Sequence, residues 1–201
     1  MKQIAILCVL LVFAGCMKSA IPDWETIPDP EPYYSTEGDV GFITEILRQR
    51  YEDAMSANTP LVIEQNLSTS KNYVSEYRDA KRLGEKTVEA YLAYKAKNKE
   101  QETVEDLEEL LFNHVVLTSK EKKSYFDLGP DDGWKKFYET YPESPGIIRF
   151  SRPGSSKDGA IAIIEFSYWF GSLGGRSGIE VFKKEDGKWK PSGIIGPLLA
   201  A

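Results

Sequence analysis

The chain has 201 residues, 41% hydrophobic and 12% aromatic, with 31 acidic and 25 basic side chains and a single histidine. That length and apolar content suit one domain with one core. The net charge of −6 disfavours nucleic acid and anionic lipid headgroups as partners.

Lys2 gives a positive start, Ile4 to Phe13 is almost wholly apolar, and Ala14-Gly15 precede Cys16. This order predicts a secretory signal peptide over residues 1–15. A spanning helix needs about 20 apolar residues and this run has roughly half that number, so a transmembrane anchor is not expected. Phe13-Ala14-Gly15-Cys16 resembles the lipobox of bacterial lipoproteins, with Phe13 where leucine is commoner. The resemblance implies cleavage before Cys16 and acylation of its thiol. Met17 is not the aspartate that retains many lipoproteins on the inner membrane, so an outer-membrane location with the domain facing the periplasm is implied. Durable attachment then requires more than one acyl chain. Residues 1–15 hold one lysine and no acid, so their removal leaves the chain one unit more negative. Cys8 is discarded with them and Cys16 is acylated, so no disulfide is expected even in an oxidising compartment.

Residues 16–38 read as the lipidated cysteine followed by an acidic tether containing Pro22, Pro28, Pro30 and Pro32. Such a segment stays extended, reaching roughly 60–70 Å at about 3.1 Å per residue. A single domain is expected over residues 39–201. Its first helix is predicted at 39–57, where Val40, Ile43, Ile46, Leu47, Ala54 and Met55 recur at helical spacing. Asn58-Thr59-Pro60 stops it, and residues 61–67 read as a strand. Residues 71–83 fit a helix or a loop equally well. A helix is predicted at 85–97, ending at Asn98, and residues 104–113 are helix-prone. A short strand at 114–117 precedes a helical turn capped by Ser119, and then a helix capped by Asp131 or Asp132. Trp134, Phe137, Tyr138 and Tyr141 form an aromatic stripe on that last helix.

From Gly146 the pattern changes to strands at 147–151, 160–170, 178–184 and 189–195. Asp186-Gly187 is a hairpin signal between the last two. Helices first and a strand meander last predict an α+β domain, with helices packed on one face of an antiparallel sheet of about 4–5 strands. The order Val115-Val116-Leu117-Thr118-Ser119, Gly133-Trp134-Lys135-Lys136-Phe137-Tyr138, Phe150-Ser151-Arg152-Pro153-Gly154 and Gly187-Lys188-Trp189-Lys190 resembles a broad group of uncharacterised bacterial envelope proteins, many of them lipoproteins. The likeness covers residues 61–190. The chain departs from the group at Ser155-Ser156-Lys157, where an aromatic residue and an asparagine are usual. The resemblance implies no particular activity.

His114 is the sole histidine and no unmodified cysteine remains, so one chain cannot assemble a His/Cys zinc site. The carboxylate-rich loop 127–133 lacks the alternating ligands and terminal glutamate of an EF-hand and reads as a turn with a helix cap. No cofactor is expected. No Gly-x-Ser-x-Gly elbow is present. Glu165 interrupts the most apolar strand, where it shares a face with Ile161, Ile163, Ser167 and Trp169. A buried carboxylate there needs a cation, and Arg149, Arg152 and Arg176 are the candidates. The functional version is a shallow ligand pocket of Arg152, Glu165, Trp169 and Arg176, although a structural ion pair accounts for the same residues more simply.

The leading expectation is therefore a non-enzymatic, lipid-anchored periplasmic protein that contacts a small ligand or another envelope protein. The alternatives are an envelope hydrolase using Glu165 or Asp132, and an immunity lipoprotein whose acidic domain meets a basic toxin.

Overall fold

A computed structural model describes residues 38–70, 74–106, 110 and 112–200. The predicted signal peptide, Cys16 and nearly all of the tether lie outside them. In chain order the elements are helices α1 (Asp39–Arg50) and α2 (Glu52–Ser56), strand β1 (Leu61–Glu64), helices α3 (Val74–Leu83) and α4 (Glu85–Lys97) and strand β2 (His114–Leu117). Helices α5 (Ser119–Phe126) and α6 (Pro130–Thr140) follow, then strands β3 (Ile147–Phe150), β4 (Gly154–Ser155), β5 (Ile161–Trp169), β6 (Gly175–Glu185) and β7 (Lys188–Ala200).

The domain is mixed α and β, but its sheet differs from the expected antiparallel meander. It has seven strands in the order β2-β1-β3-β5-β6-β7, with β4 paired to β5 outside that path. β1 runs parallel to both β2 and β3, whereas β3, β5, β6 and β7 are antiparallel to their neighbours. The cause is in the connections. A parallel step needs a long crossover, and α3–α4 supply it between β1 and β2, as α5–α6 do between β2 and β3. The meander at the C-terminal end is antiparallel because its links hold no helix and are short, down to two residues between β6 and β7. Asp186 and Gly187 both adopt positive φ, 51° and 79°, as a two-residue hairpin turn requires.

Helices cover both faces of the sheet rather than one. Leu61, Ile63, Ile148, Phe150, Ile164, Phe166 and Phe182 form one core with Val40, Phe42, Ile43, Ile46 and Leu47 of α1. Successive strand residues point to opposite faces. The alternate set therefore faces away from α1, and Ile163, Ile179, Val181 and Ile195 meet Ala80 of α3 and Ala90, Tyr91 and Tyr94 of α4. On that same second face, Val62, Leu117 and Ile147 meet Phe137 and the aromatic side chains of α5 and α6.

Helix ends follow local chemistry. Thr118, not Ser119, caps α5: the Glu121 amide donates to Thr118 Oγ1 at 3.2 Å, and the Thr118 amide donates to Glu121 Oε2 at 2.9 Å. Gly129 precedes α6 and Pro130 is its first residue, so neither Asp131 nor Asp132 caps it. Both instead occupy the first turn, where the helix dipole favours acids. Asn98 ends α4 and ties it down. Its amide nitrogen donates to the carbonyls of Tyr94 (2.8 Å) and Arg152 (2.9 Å), while its oxygen accepts from the Arg152 amide. Gly154 lets α4 approach closely, because a Cβ there would lie 2.3 Å from the Ala90 carbonyl oxygen. The described part of 104–113 holds only a 3-10 turn, Val104–Asp106. His114 Nδ1 lies 2.9 Å from the Phe112 carbonyl oxygen, the contact of a structural histidine.

Candidate functional site

The second face of the sheet changes character between its two helical pairs. Along β5 the residues on that face are Ile163, Glu165, Ser167 and Trp169. Register places Ser167 beside Arg149 of β3 and Ser177 of β6. α3–α4 sit over the aliphatic residues at one end, and α5–α6 sit over Val62 and Ile147 at the other. The polar middle lines a cleft of about 780 Å³, to which Glu64, Glu76, Tyr94, Arg149, Glu165 and Trp169 contribute.

At the α3–α4 end two tyrosines hold two carboxyls. Tyr94 donates to Glu165 Oε2 at 3.0 Å, and Tyr91 donates to Glu76 Oε2 at 2.8 Å. Burial, with a carboxylate beside each ring, pushes both phenols well above their ordinary value, so they remain donors at neutral pH. Burial also raises Glu76, with the Glu165 charge adding to the rise, while the Tyr91 hydrogen bond and Lys95 pull it back. Lys95 is lowered by burial against the opposing pull of Glu76 and Glu165.

The sign of the Glu76 effect makes a test. A carboxyl raised in the folded state contributes most to stability while protonated, below its unfolded value, and that contribution is lost as pH rises through the folded value. Glu76→Gln cannot ionise and still offers Tyr91 an acceptor. Urea unfolding between pH 4 and pH 8 is expected to show the variant gaining stability relative to the native chain as pH rises. A gap that stays constant, or runs the other way, contradicts the assignment.

At the α5–α6 end, Lys122 and Arg149 lie 5.2 and 5.3 Å from the Trp169 ring. Lys122 is ion-paired with Glu64, and Arg149 comes only to 3.9 Å of the same carboxylate. Arg149 Nε and Ser68 Oγ are buried with no hydrogen-bond partner among the described residues.

Of the four residues expected in a pocket, the cleft brings together Glu165 and Trp169. Arg152 is elsewhere: it pairs with Glu102 at 2.9 Å and approaches Asp39 at 3.4 Å. Arg176 borders the cleft through its place in β6. It is paired in register with Tyr168, however, so its side chain leaves on the face of α1, 3.9 Å from Glu180. Among the described residues none of the three arginines pairs with Glu165; Tyr94 donates a hydrogen bond to it and the charge of Lys95 acts on it. Asp132 is exposed in the first turn of α6 and is not part of the cleft. Glu76, Tyr94 and Ser68 are additions from the structure. The i, i+3 spacing of Tyr91 and Tyr94 on α4 was a legible signal for one of them, whereas nothing in the local sequence marked Ser68. Among the described residues no group of three or more His, Cys, Asp or Glu is placed to hold a metal ion.

The chain matches no protein-family model, no curated protein and no solved structure. The geometry of the cleft is therefore the basis for a functional reading.

Proposed function

We propose that the mature chain starts at Cys16, is held on a membrane by acyl groups on that residue, and presents its domain in the periplasm as a non-catalytic binding module. The outer membrane is the favoured location, given Met17. The observation that carries the binding role is the cleft beside α3–α4, bordered also by residues 66–69 and by β6 and β7, where Glu165 and Trp169 share one sheet face with Arg149. Its size lies within the roughly 300–1,000 Å³ typical of small-molecule sites. The lipobox-like order ending at Cys16 supports the anchor.

Metabolic labelling with radioactive palmitate tests that anchor. The native chain is expected to take up label and sediment with membranes, and Cys16→Ala to do neither; equal labelling rejects it. Native mass spectrometry of the envelope-purified protein tests the binding role. A small-molecule adduct that is lost from a folded Trp169→Ala variant supports it, and bare protein in both cases rejects it.

A further inference from the structure

The two ends of the cleft offer opposite chemistry, and each end is incompletely used by the protein. At one end stands Arg149, whose side chain is 34% exposed and whose one ion-pair contact among the described residues, Glu64 at 3.9 Å, is already engaged by Lys122. The Trp169 ring packs beside the guanidinium, 5.3 Å away. A buried donor left without an acceptor is costly, and Arg149 Nε is one among the described residues. Ser68 Oγ is a second, on a residue only 4% exposed. The Ser68 amide donates to the Phe150 carbonyl at 2.9 Å, so this residue is held at the strand end that carries Arg149, and both line the cleft. A planar fork beside a hydroxyl matches a carboxylate.

At the other end Tyr94 occupies Oε2 of Glu165, and Oε1 has no hydrogen-bond donor among the described residues. Arg149 is paired in register with Ser167, and Glu165 lies two residues further along β5. The two are diagonal cross-strand neighbours, about 7–8 Å apart at the backbone. We propose that the cleft is a site for a small amphoteric molecule, an amino acid or short peptide, with its free carboxylate on Arg149 and Ser68 and its amine on Glu165. This rests on the reading of the cleft as a binding site and names its ligand class.

Charge narrows the choice. A multiply charged anion would meet Glu64, Glu76 and Glu165 in the same cleft, and a simple cation would meet Arg149. A molecule with one charge of each sign meets neither obstacle. The volume of about 780 Å³ has room for more than a single amino acid.

Isothermal titration of the full chain in detergent, with alanyl-alanine, its C-terminal amide and its N-acetyl form, tests the assignment. The free dipeptide is expected to bind, and each blocked form to bind about tenfold more weakly or worse. Arg149→Met is expected to weaken the free dipeptide by a similar factor while leaving the amide unchanged. Glu165→Gln is expected to do the same for the free dipeptide and to leave the N-acetyl form unchanged. If Arg149→Met does not fold, the three-ligand comparison on the native chain decides by itself. Equal affinity for all three forms overturns the ligand class and leaves the cleft a binding site. So does failure of all three alongside an adduct of another class in native mass spectrometry. Failure of all three on a protein that also carries no adduct overturns both readings.

Discussion

Asp39→Asn is expected to lower the free energy of unfolding by about 3–5 kcal/mol, the cost of breaking a buried ion pair by removing one member. Lys97 Nζ donates to both carboxylate oxygens of Asp39, at 2.9 and 3.1 Å. Both side chains are only 5% exposed, so an amide at position 39 takes a carboxylate away from a buried ammonium. Arg152 Nε, 3.4 Å from Asp39, loses the same anion. Burial raises the Asp39 carboxyl even though Lys97 and Arg152 oppose the rise, so the cluster is expensive to assemble as well as to break. The measurement is the urea midpoint at unchanged slope. The contrasting variant is Glu102→Gln, at the more exposed end of the same cluster, where less than about 1 kcal/mol is expected. A loss of that small size at Asp39 would show that the cluster is not desolvated in solution.

Phe137→Ala is expected to cost about 3–5 kcal/mol, the range for removing a large aromatic side chain from a core. For a domain of this size that is a fall in melting temperature of roughly 10 °C. Phe137 is fully buried, with the rings of Tyr138, Tyr141, Trp134 and Tyr125 at 5.1, 5.2, 5.3 and 6.0 Å between centroids. Below it lie Val62, Leu117 and Ile147 of three different strands. The cavity cannot close without moving α6 or α5. The second helix carries Lys122, which pairs with Glu64 and lies against Trp169. Loss of near-ultraviolet circular dichroism should therefore accompany the loss of stability, and a variant with native melting would refute this packing.

Sequence periodicity located most of the elements because their signals are local. The α4 boundaries, its end at Asn98 and the Asp186-Gly187 hairpin follow from residues adjacent in the chain. The alternation in β5 correctly separated Glu165 and Trp169 from Ile164 and Phe166. Sheet order was less legible. Leu61-Val62-Ile63 and Val115-Val116-Leu117 are short apolar runs, and such runs carry no mark of a parallel neighbour. That relation appears only once the helical crossovers are counted as connections.

Arg152 and Arg176 went elsewhere because β3 and β6 have other ends than expected. β6 starts at Gly175, not at Gly178, so Trp169 faces Gly175 and Arg176 falls opposite Tyr168. Inside the strand and opposite Tyr168, Arg176 points to the α1 side of the sheet. β3 stops at Phe150, which frees Arg152 from strand alternation and lets it join Asp39 and Glu102. Glu76 and Ser68 reach the cleft from segments separated by unrelated chain, and only the tertiary fold brings them together. The helix expected across 39–57 breaks at Tyr51, giving α1 and the short α2.

The grip on Asp39 has a mechanical side. A pull arriving from the N-terminal end of the domain meets that residue before it can peel away the first turn of α1. The load is shared at once with the far end of α4 through Lys97 and with the segment just past β3 through Arg152. The same helix carries Tyr94, which holds Glu165, so such tension reaches one wall of the cleft.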